Sequence, residues 1–586
     1  MTNQRYLLLL ICVASVVRCE LFTSLAHMER ALFAEREISS RIKEYVREEK
    51  QRLDALSRLA DELETHSSKA LENVDFYLGN PVNAYLFVKR FTVDWERHIE
   101  DILKWKPNEE FHEKVNKLKE YLPTYEDLNG AVAALLRLQD TYKLETEKIA
   151  AGDIAGIKTS ELSAVDCFEV GRVAYNDEDY YHTTAWMIEA MSRLENEKNK
   201  TVNKSEIIDF LAFSVYQYAY TQSDTYHCHM WLEESLSKDM KEINKTADRS
   251  EILDYLSYVT MLQGNVRHAL DLTNELLTLV PGHDRALNNK EYYLKMISEK
   301  EEKMGETATM GEAATMGEPA ADEPLKNEKG RDEYKSTDEF IMYERLCRGE
   351  HTHDYKDQHK LVCRYKTNND PLLLINPAKE EEIYLDPYLV AYHNVISDYE
   401  LAVIKSIATP KLGRATVHNA KTGKLEFAHY RVSKSAWLRP DDDIVVERVN
   451  RRISAVTKLE MDTAEDLQIA NYGIGGHYEP HFDFARKEES NAFKGLNTGN
   501  RIATWLSYMS DVEAGGATVF PYIGVKIFPK RGMAAFWYNL YKNGDGIYDT
   551  RHAACPVLVG TKWVSNKWIH ERGQEFRRPC GLLADD

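Results

Sequence analysis

The stretch Ile502-Ala-Thr-Trp-Leu-Ser-Tyr508 is a short run of apolar, β-branched and aromatic residues. Val525-Lys-Ile-Phe528 and Met533-Ala-Ala-Phe-Trp-Tyr538 follow it, separated by Gly515-Gly516 and by Pro529-Lys-Arg-Gly532. Runs of this length, punctuated by turn residues, predict an antiparallel, two-layered β structure of the sandwich or jelly-roll kind. The pattern begins near Asp338, so residues 338–586 are expected to form one β-rich domain.

Just before these runs stands Tyr478-Glu-Pro-His481-Phe-Asp483-Phe484. Residues i and i+2 of an extended strand point to the same face, so His481 and Asp483 are placed to grip one metal ion. Alone, His-x-Asp is a common surface pattern. His552, in Thr550-Arg-His-Ala-Ala-Cys555, offers a third ligand from a strand distant in sequence. Two imidazoles and one carboxylate leave open positions, which is the donor set of non-haem Fe(II) oxygenases. Beyond it, Lys562 lies among small and apolar neighbours in Gly560-Thr-Lys-Trp-Val-Ser-Asn-Lys-Trp568. A buried ammonium needs an anion, and a dicarboxylic cosubstrate chelating the iron would end there.

Upstream, Met-Gly-Glu-Thr-Ala-Thr, Met-Gly-Glu-Ala-Ala-Thr and Met-Gly-Glu-Pro repeat from Met304 onward without a packable face, so residues 299–337 read as an acidic, low-complexity linker. Residues 160–298 repeat themselves. At one constant offset of 45, Tyr175, Asp179, Tyr181, His182 and Trp186 match Tyr220, Asp224, Tyr226, His227 and Trp231, and Asn199-Lys-Thr matches Asn244-Lys-Thr. A looser third copy, Gln263-Gly-Asn-Val-Arg-His-Ala-Leu270, completes a tetratricopeptide-like array of helix pairs, whose stacking leaves a concave groove. Tyrosines are frequent there, Tyr175, Tyr181, Tyr255 and Tyr258 among them, and flat aromatic walls suit an extended proline-rich peptide. Many of the same rings also serve to pack helix on helix.

The N-terminal region 20–155 reads as helical. From Leu21 to about Thr65 its apolar residues recur at three- and four-residue steps, which predicts a long amphipathic helix that docks on another helix of this chain or of a second copy. Residues 1–19, apolar from Tyr6 to Val17 after Arg5, read as a secretory signal peptide, too short to span a membrane. The sequons at Asn199, Asn203 and Asn244 agree with a lumenal or secreted chain.

Across 586 residues, 43% hydrophobic content and 29% charge describe a soluble multidomain protein, and a formal charge of −20 with no basic patch excludes nucleic acid as an expected partner. An oxidising compartment lets cysteines pair; the spacings of Cys347 to Cys363 and of Cys555 to Cys580 admit two local loops, with other pairings open. The tail Leu-Leu-Ala-Asp-Asp586 is no retention address, so retention is expected from a partner.

Tyr-Glu-Pro-His-Phe-Asp-Phe-Ala-Arg486, Thr498-Gly-Asn-Arg-Ile-Ala-Thr-Trp-Leu, Ala514-Gly-Gly-Ala-Thr-Val-Phe-Pro, Thr550-Arg-His-Ala-Ala-Cys-Pro-Val and Lys562-Trp-Val-Ser-Asn-Lys-Trp-Ile-His-Glu-Arg-Gly together resemble the catalytic domain of animal collagen prolyl 4-hydroxylase α subunits. The Tyr-rich repeat resembles their peptide-substrate-binding domain, and Glu20-Leu-Phe-Thr-Ser-Leu their mature N-terminus. The resemblance implies a double-stranded β-helix dioxygenase domain, an α-helical peptide-binding domain and an N-terminal dimerisation domain. It implies that His481, Asp483 and His552 bind Fe(II), that Lys562, Tyr472 and Thr518 hold 2-oxoglutarate, and that Arg501 and Trp568 face substrate or cosubstrate. It further implies O2 as cosubstrate, ascorbate as the reductant that rescues oxidised iron, and disulfides Cys347 to Cys363 and Cys555 to Cys580. The expected assembly is an α2β2 tetramer with protein disulfide isomerase in the endoplasmic reticulum lumen, acting on proline in X-Pro-Gly sequences of procollagen or another Pro-rich chain. The 45-residue duplication and the Met-Gly-Glu linker depart from the family pattern.

Three other readings compete: a related lumenal dioxygenase acting on lysine or non-collagen proline, a collagen-binding module without activity, and a zinc hydrolase built on the same three ligands. The tyrosine-lined repeat disfavours the first. The four site groups at working spacing disfavour the second, and Lys562 with no general-base motif the third.

Overall fold

A computed structural model describes residues 25–100, 125–222, 249–262, 264–306, 333–351, 356–415, 417–418, 425–426, 430–473, 475–489 and 493–583. The expected signal segment 1–19, residues 223–248 with Tyr226, Cys228 and Asn244, and most of the Met-Gly-Glu linker lie outside them. The chain divides into two units, the helical region expected at 20–155 contributing to both. The first holds described residues 25–73 and 93–100, and its helix α1 (Leu25–Glu72) is the amphipathic helix read from the sequence, longer at its C-terminal end. No described helix is long and apolar enough to cross a membrane.

The second unit opens with α2 (Pro81–Lys89) and α3 (Tyr125–Tyr142), which pack on one another. Asn80 starts α2 by accepting the N–H groups of Val82 and Asn83, with Pro81 at the first helical position, where a missing N–H costs nothing. The repeat follows as α4 (Ala164–Asn176), α5 (Tyr180–Asn196), α6 (Lys204–Gln222), α7 (Arg249–Leu262), α8 (Val266–Leu279) and α9 (Asp284–Glu306). Its periodicity is visible in the turns. Glu178 and Gly264 both take positive φ, and the next residues, Asp179 and Asn265, each accept the N–H of a histidine three positions on, His182 and His268. The third copy, loose in sequence, thus repeats the turn of the first. Helix α9 runs to Glu306, past the boundary expected at 298, because Glu, Lys and Met are strong helix formers. Asn199 and Asn203 stand exposed between α5 and α6.

The C-terminal region is the expected two-layer β structure. After α10 (Asp338–Cys347), its principal strands are β1 (Cys363–Lys366), β2 (Ala378–Tyr384), β3 (Leu389–His393), β4 (Gly413–Arg414), β5 (Lys434–Leu438), β6 (Leu467–Tyr472), β7 (Tyr478–His481), β8 (Arg501–Tyr508), β9 (Thr518–Phe520), β10 (Val525–Ile527), β11 (Ala534–Tyr538), β12 (His552–Ala554) and β13 (Lys562–His570). Among the described residues one large sheet has the order β1-β2-β3-β11-β8-β13-β6-β5-β4, and a smaller one the order β7-β12-β9-β10. Both faces of the large sheet are covered, which is why Ile502–Tyr508 reads as a continuous apolar run. Ala503, Trp505 and Phe536 point into a core shared with α11 (Asp398–Ala408) and α12 (Ile444–Thr457), while Leu506, Tyr508 and Trp537 face the small sheet.

The disulfide pairing differs from expectation. Cys347 is bonded to Cys555, and Cys363 and Cys580 are exposed thiols. Helix α10 lies across β9 and β12, burying Phe340, Tyr343, Leu346 and Cys347 against Ala517, Val519, Ala553 and Cys555, so the two cysteines meet inside one apolar cluster. Cys363 sits on the edge strand β1, and Cys580 in the C-terminal coil. Non-reducing peptide mapping is expected to recover Cys347 joined to Cys555, with native alkylation labelling Cys363 and Cys580 but sparing the buried Cys167. Cys347→Ser should lower stability by about 2–4 kcal/mol in denaturant titration.

Candidate active site

The site lies between the two sheets. Strand β7 pairs with β12 so that His481 stands directly opposite His552, and their rings are 4.4 Å apart. The strand distant in sequence is therefore the immediate neighbour in the sheet. Strand β7 ends at His481, and Asp483 lies in the bend beyond it; the bend, rather than strand alternation, turns its carboxylate toward both rings. Asp483 Oδ1 is 3.8 Å from His481 Nε2, Oδ2 is 3.5 Å from His552 Nε2, and one ligand atom from each residue lies within 4.8 Å of the others.

The donor set fits ferrous iron. His481 Nδ1 is 2.8 Å from the Glu479 carbonyl oxygen and His552 Nδ1 is 3.0 Å from that of Thr550; with Nδ1–H donated to the backbone, each Nε2 lone pair faces the cluster. Thr504 Oγ1 donates to Asp483 Oδ2 at 2.8 Å and itself accepts from Asn539 Nδ2. Burial drives His481 far below its ordinary value, with the adjacent His552 adding to the effect, so it stays neutral and able to ligate. Burial raises Asp483, but His552, His481 and Arg501 outweigh it and keep the carboxylate ionised.

Lys562 starts β13, paired in register with Tyr472 at the end of β6. It is 1% exposed, and its ammonium has no carboxylate partner among the described residues. Its neighbours are the rings of Tyr472, 5.4 Å from Nζ, and Tyr508, 5.9 Å away. Burial lowers it to about 7. Thr518 is buried and takes a hydrogen bond of 2.8 Å from the Tyr508 hydroxyl. Tyr472, Thr518, Lys562 and the three ligands thus line one cavity, together with Trp568. Arg501 stands behind this wall: its guanidinium is 3.9 Å from the Trp568 ring centroid and makes two bonds to Glu465, at 2.5 and 2.9 Å. Burial raises Glu465, yet Arg501 and His570 hold it at about 2.

Arg431, Tyr478 and Tyr508 were not singled out by sequence. The Tyr478 ring stacks on His481 at 3.5 Å between centroids, and the Arg431 guanidinium lies 4.9 Å from the other ring contact, the Tyr478 centroid. Tyr478 opens the quoted metal motif and could have been found there; Arg431 stands in an isolated bridge far upstream with no motif around it. Asp483 is the one carboxylate among the described residues of the cavity, set against Lys562 and Arg431. With a divalent metal added, the excess positive charge calls for a dianion, which a dicarboxylate supplies.

In the repeat, the rings of Tyr175, Tyr180, Phe210, Phe213 and Tyr255 form a continuous edge-to-face series across α4, α5, α6 and α7, with neighbouring centroids 4.9 to 6.1 Å apart. All five are half-buried. Arg285 lies over Tyr255 and pairs with Asp254. Tyr181 packs edge-on against His182, and Tyr258 is half-buried on α7.

Three family models match in order along the chain: the N-terminal region of the prolyl 4-hydroxylase α subunit over residues 24–156, the prolyl 4-hydroxylase peptide-substrate-binding domain over 164–219 and again over 217–299, and the 2OG-Fe(II) oxygenase superfamily over 467–570. The double match coincides with the 45-residue duplication. Over 564 residues the chain is 43% identical to prolyl 4-hydroxylase subunit alpha-1 of Rattus norvegicus, covering 96% of this chain and 95% of that protein. It is 44% identical over 584 residues to subunit alpha-2 of Caenorhabditis elegans, covering 99% and 96%. Among solved structures it is similar to the viral collagen prolyl hydroxylase of Paramecium Bursaria Chlorella virus-1 with 2-oxoglutarate, at 25% identity and a TM-score of 0.25, covering 31% of this chain and 94% of that one.

A lysine held near 7 in the free site is mostly neutral at pH 8, and pairing with a carboxylate raises it again, so binding 2-oxoglutarate at pH 8 should take up about one proton. At pH 6 the lysine is already charged and the uptake should vanish. Calorimetry in buffers of different protonation heat measures this directly, and Lys562→Ala should abolish the uptake and weaken binding about 10- to 100-fold.

Proposed function

The chain belongs to the prolyl 4-hydroxylase α-subunit family, Fe(II)- and 2-oxoglutarate-dependent enzymes that hydroxylate proline at C4, and on that premise we propose that its substrates are X-Pro-Gly sequences of procollagen-like chains. The observation that carries the site assignment is a buried, carboxylate-free Lys562 in one cavity with His481, Asp483 and His552. His481, Asp483 and His552 hold the iron; Lys562 pairs with the distal carboxylate of 2-oxoglutarate, flanked by Tyr472 and Thr518. Bound iron supplies oxidative chemistry, in which O2 converts 2-oxoglutarate to succinate and CO2 and leaves one oxygen atom on the peptide.

The remaining steps belong to side chains. Tyr478 covers one face of the His481 ring and Trp568 forms the wall toward Arg501, and these two rings would shield the ligand cluster from water on those sides. Arg501, fixed by Glu465, holds Trp568 in place. The aromatic series from Tyr175 to Tyr255, half-buried and packed edge to face, would line a track for a polyproline II helix, which has no internal hydrogen bonds and loses little entropy on docking.

Further parts of the reading rest on the family and the sequence. Helix α1, with Leu53 and Leu71 exposed, would join two copies, and protein disulfide isomerase would complete an α2β2 tetramer in the endoplasmic reticulum lumen. The exposed sequons Asn199 and Asn203 support a lumenal location. Ascorbate would reduce iron oxidised in idle turnovers.

Co-expressed with disulfide isomerase, the wild type should decarboxylate 2-oxoglutarate in the presence of a Pro-Pro-Gly repeat peptide and add one oxygen to the proline before glycine, read by mass spectrometry. His481→Ala should lose both activities; peptide-independent turnover, or oxygen on another residue, would overturn the substrate assignment. Tyr175→Ala should raise the KM for a long peptide about tenfold while leaving the KM for 2-oxoglutarate unchanged.

A further inference from the structure

Three loops connect the strands that carry the active-site groups, and all three touch the N-terminal helices. Gly473, Gly475 and Gly476 lie between Tyr472 and the strand of Tyr478 and His481, residues 515–516 lead into Thr518, and residues 555–561 join His552 to Lys562. The loops are tied to one another: Gly475 N–H donates to the Val557 carbonyl, Val557 N–H to that of Gly476, and Gly516 N–H to that of Pro556.

Helix α3 and the turn before α2 hold this end. Arg137 Nη1 donates to the Gly475 carbonyl at 2.8 Å, the Tyr142 hydroxyl to the Pro556 carbonyl at 2.6 Å, and Gly560 N–H to the Gly79 carbonyl at 2.6 Å. The approach is close enough to need glycine. A Cβ on Gly475, whose φ is +61°, would sit 2.7 Å from the Ala134 Cβ, and one on Gly79 would sit 2.6 Å from the Gly560 Cα. The half-buried Arg137 guanidinium also lies in the field of Glu479, whose carbonyl oxygen orients His481. Helix α3 also meets the peptide-binding repeat: Gln139 accepts from Trp186 Nε1 at 3.0 Å, and Asp140 lies 3.2 Å from His182 Nε2.

We propose that Arg137 and Tyr142 are positioning residues for the cosubstrate pocket, α3 acting as a brace that sets the rim loops beside Tyr472, His481, Thr518, His552 and Lys562. A catalytic β domain alone lacks these donors, so the helical region contributes to 2-oxoglutarate binding without touching it. The brace also ties the pocket to the repeat that holds the peptide. This rests on the site assignment made above.

The test uses the full chain carrying Arg137→Ala, Arg137→Lys or Tyr142→Phe, with Lys562→Ala alongside. Dissociation of 2-oxoglutarate is read from quenching of tryptophan fluorescence, since Trp537 and Trp568 line the pocket, and compared with the KM values for 2-oxoglutarate and peptide. Arg137→Ala should weaken 2-oxoglutarate about tenfold and Tyr142→Phe about threefold, each sparing the peptide KM, and Arg137→Lys should recover part of the loss. Tyr142→Phe removes one hydroxyl only and remains decisive if Arg137→Ala does not fold. Wild-type cosubstrate affinity in Tyr142→Phe and in a folded Arg137→Ala, beside a weakened Lys562→Ala, would sink the brace alone. Wild-type affinity in Lys562→Ala would remove the site assignment and the brace with it.

Discussion

Two imidazoles and a single carboxylate share a space a few ångströms wide, and the architecture around them is arranged to keep them there. Strand pairing puts His481 opposite His552, backbone carbonyls fix both Nδ1 atoms, and Thr504 pins the Asp483 oxygen from the neighbouring sheet. Each of these partners comes from a different strand or loop. The three ligands therefore keep their geometry only while the two sheets keep their separation, and the apolar packing of Leu506, Phe520 and Trp537 between the sheets sustains it.

Charge completes the constraint. Lys562 and Arg431 stand in a cavity whose one described carboxylate is already committed to the metal cluster. An ammonium buried without a carboxylate partner among the described residues is unfavourable until an anion arrives, and on the proposed reading the cosubstrate is that anion. On the proposed reading, selectivity for a dicarboxylate comes from two anchors in one cavity, the His481, Asp483 and His552 cluster and Lys562. Arg501 is treated differently. Glu465 neutralises it behind the pocket wall, where it supports Trp568 instead of meeting an anion.

The helical half is built on a different scale. Its repeat packs aromatic rings edge to face in series across four helices, whereas the β domain encloses a compact cavity around the three ligand residues and Lys562. Helix α3 is the element common to both, touching Trp186 and His182 through Gln139 and Asp140 and the rim loops through Arg137 and Tyr142. Peptide capture and oxidation are thereby tied through one helix.

The local periodicities in the sequence determined much of this. Strand runs separated by glycine turns and a long amphipathic helix each depend on neighbours in the chain, and each was legible; the 45-residue repeat was legible as sequence, and the peptide-substrate-binding model matches twice across it. His481, Asp483, His552 and Lys562 were legible as chemistry because their residue types and order restrict what they can do. The resemblance supplied Tyr472 and Thr518, which the fold then brought to the same cavity. What only the tertiary structure decided are contacts between segments remote in sequence. Cys347 meets Cys555 because α10 crosses the small sheet, although the spacing of each cysteine suggested a nearer partner. Asp483 turns inward from a bend, Arg431 enters the pocket from an unmarked segment, and Arg137 reaches a loop far along the chain. Sequence patterns encode which face of an element is apolar; which elements those faces meet depends on burial over the whole domain, and the site is assembled at that second step.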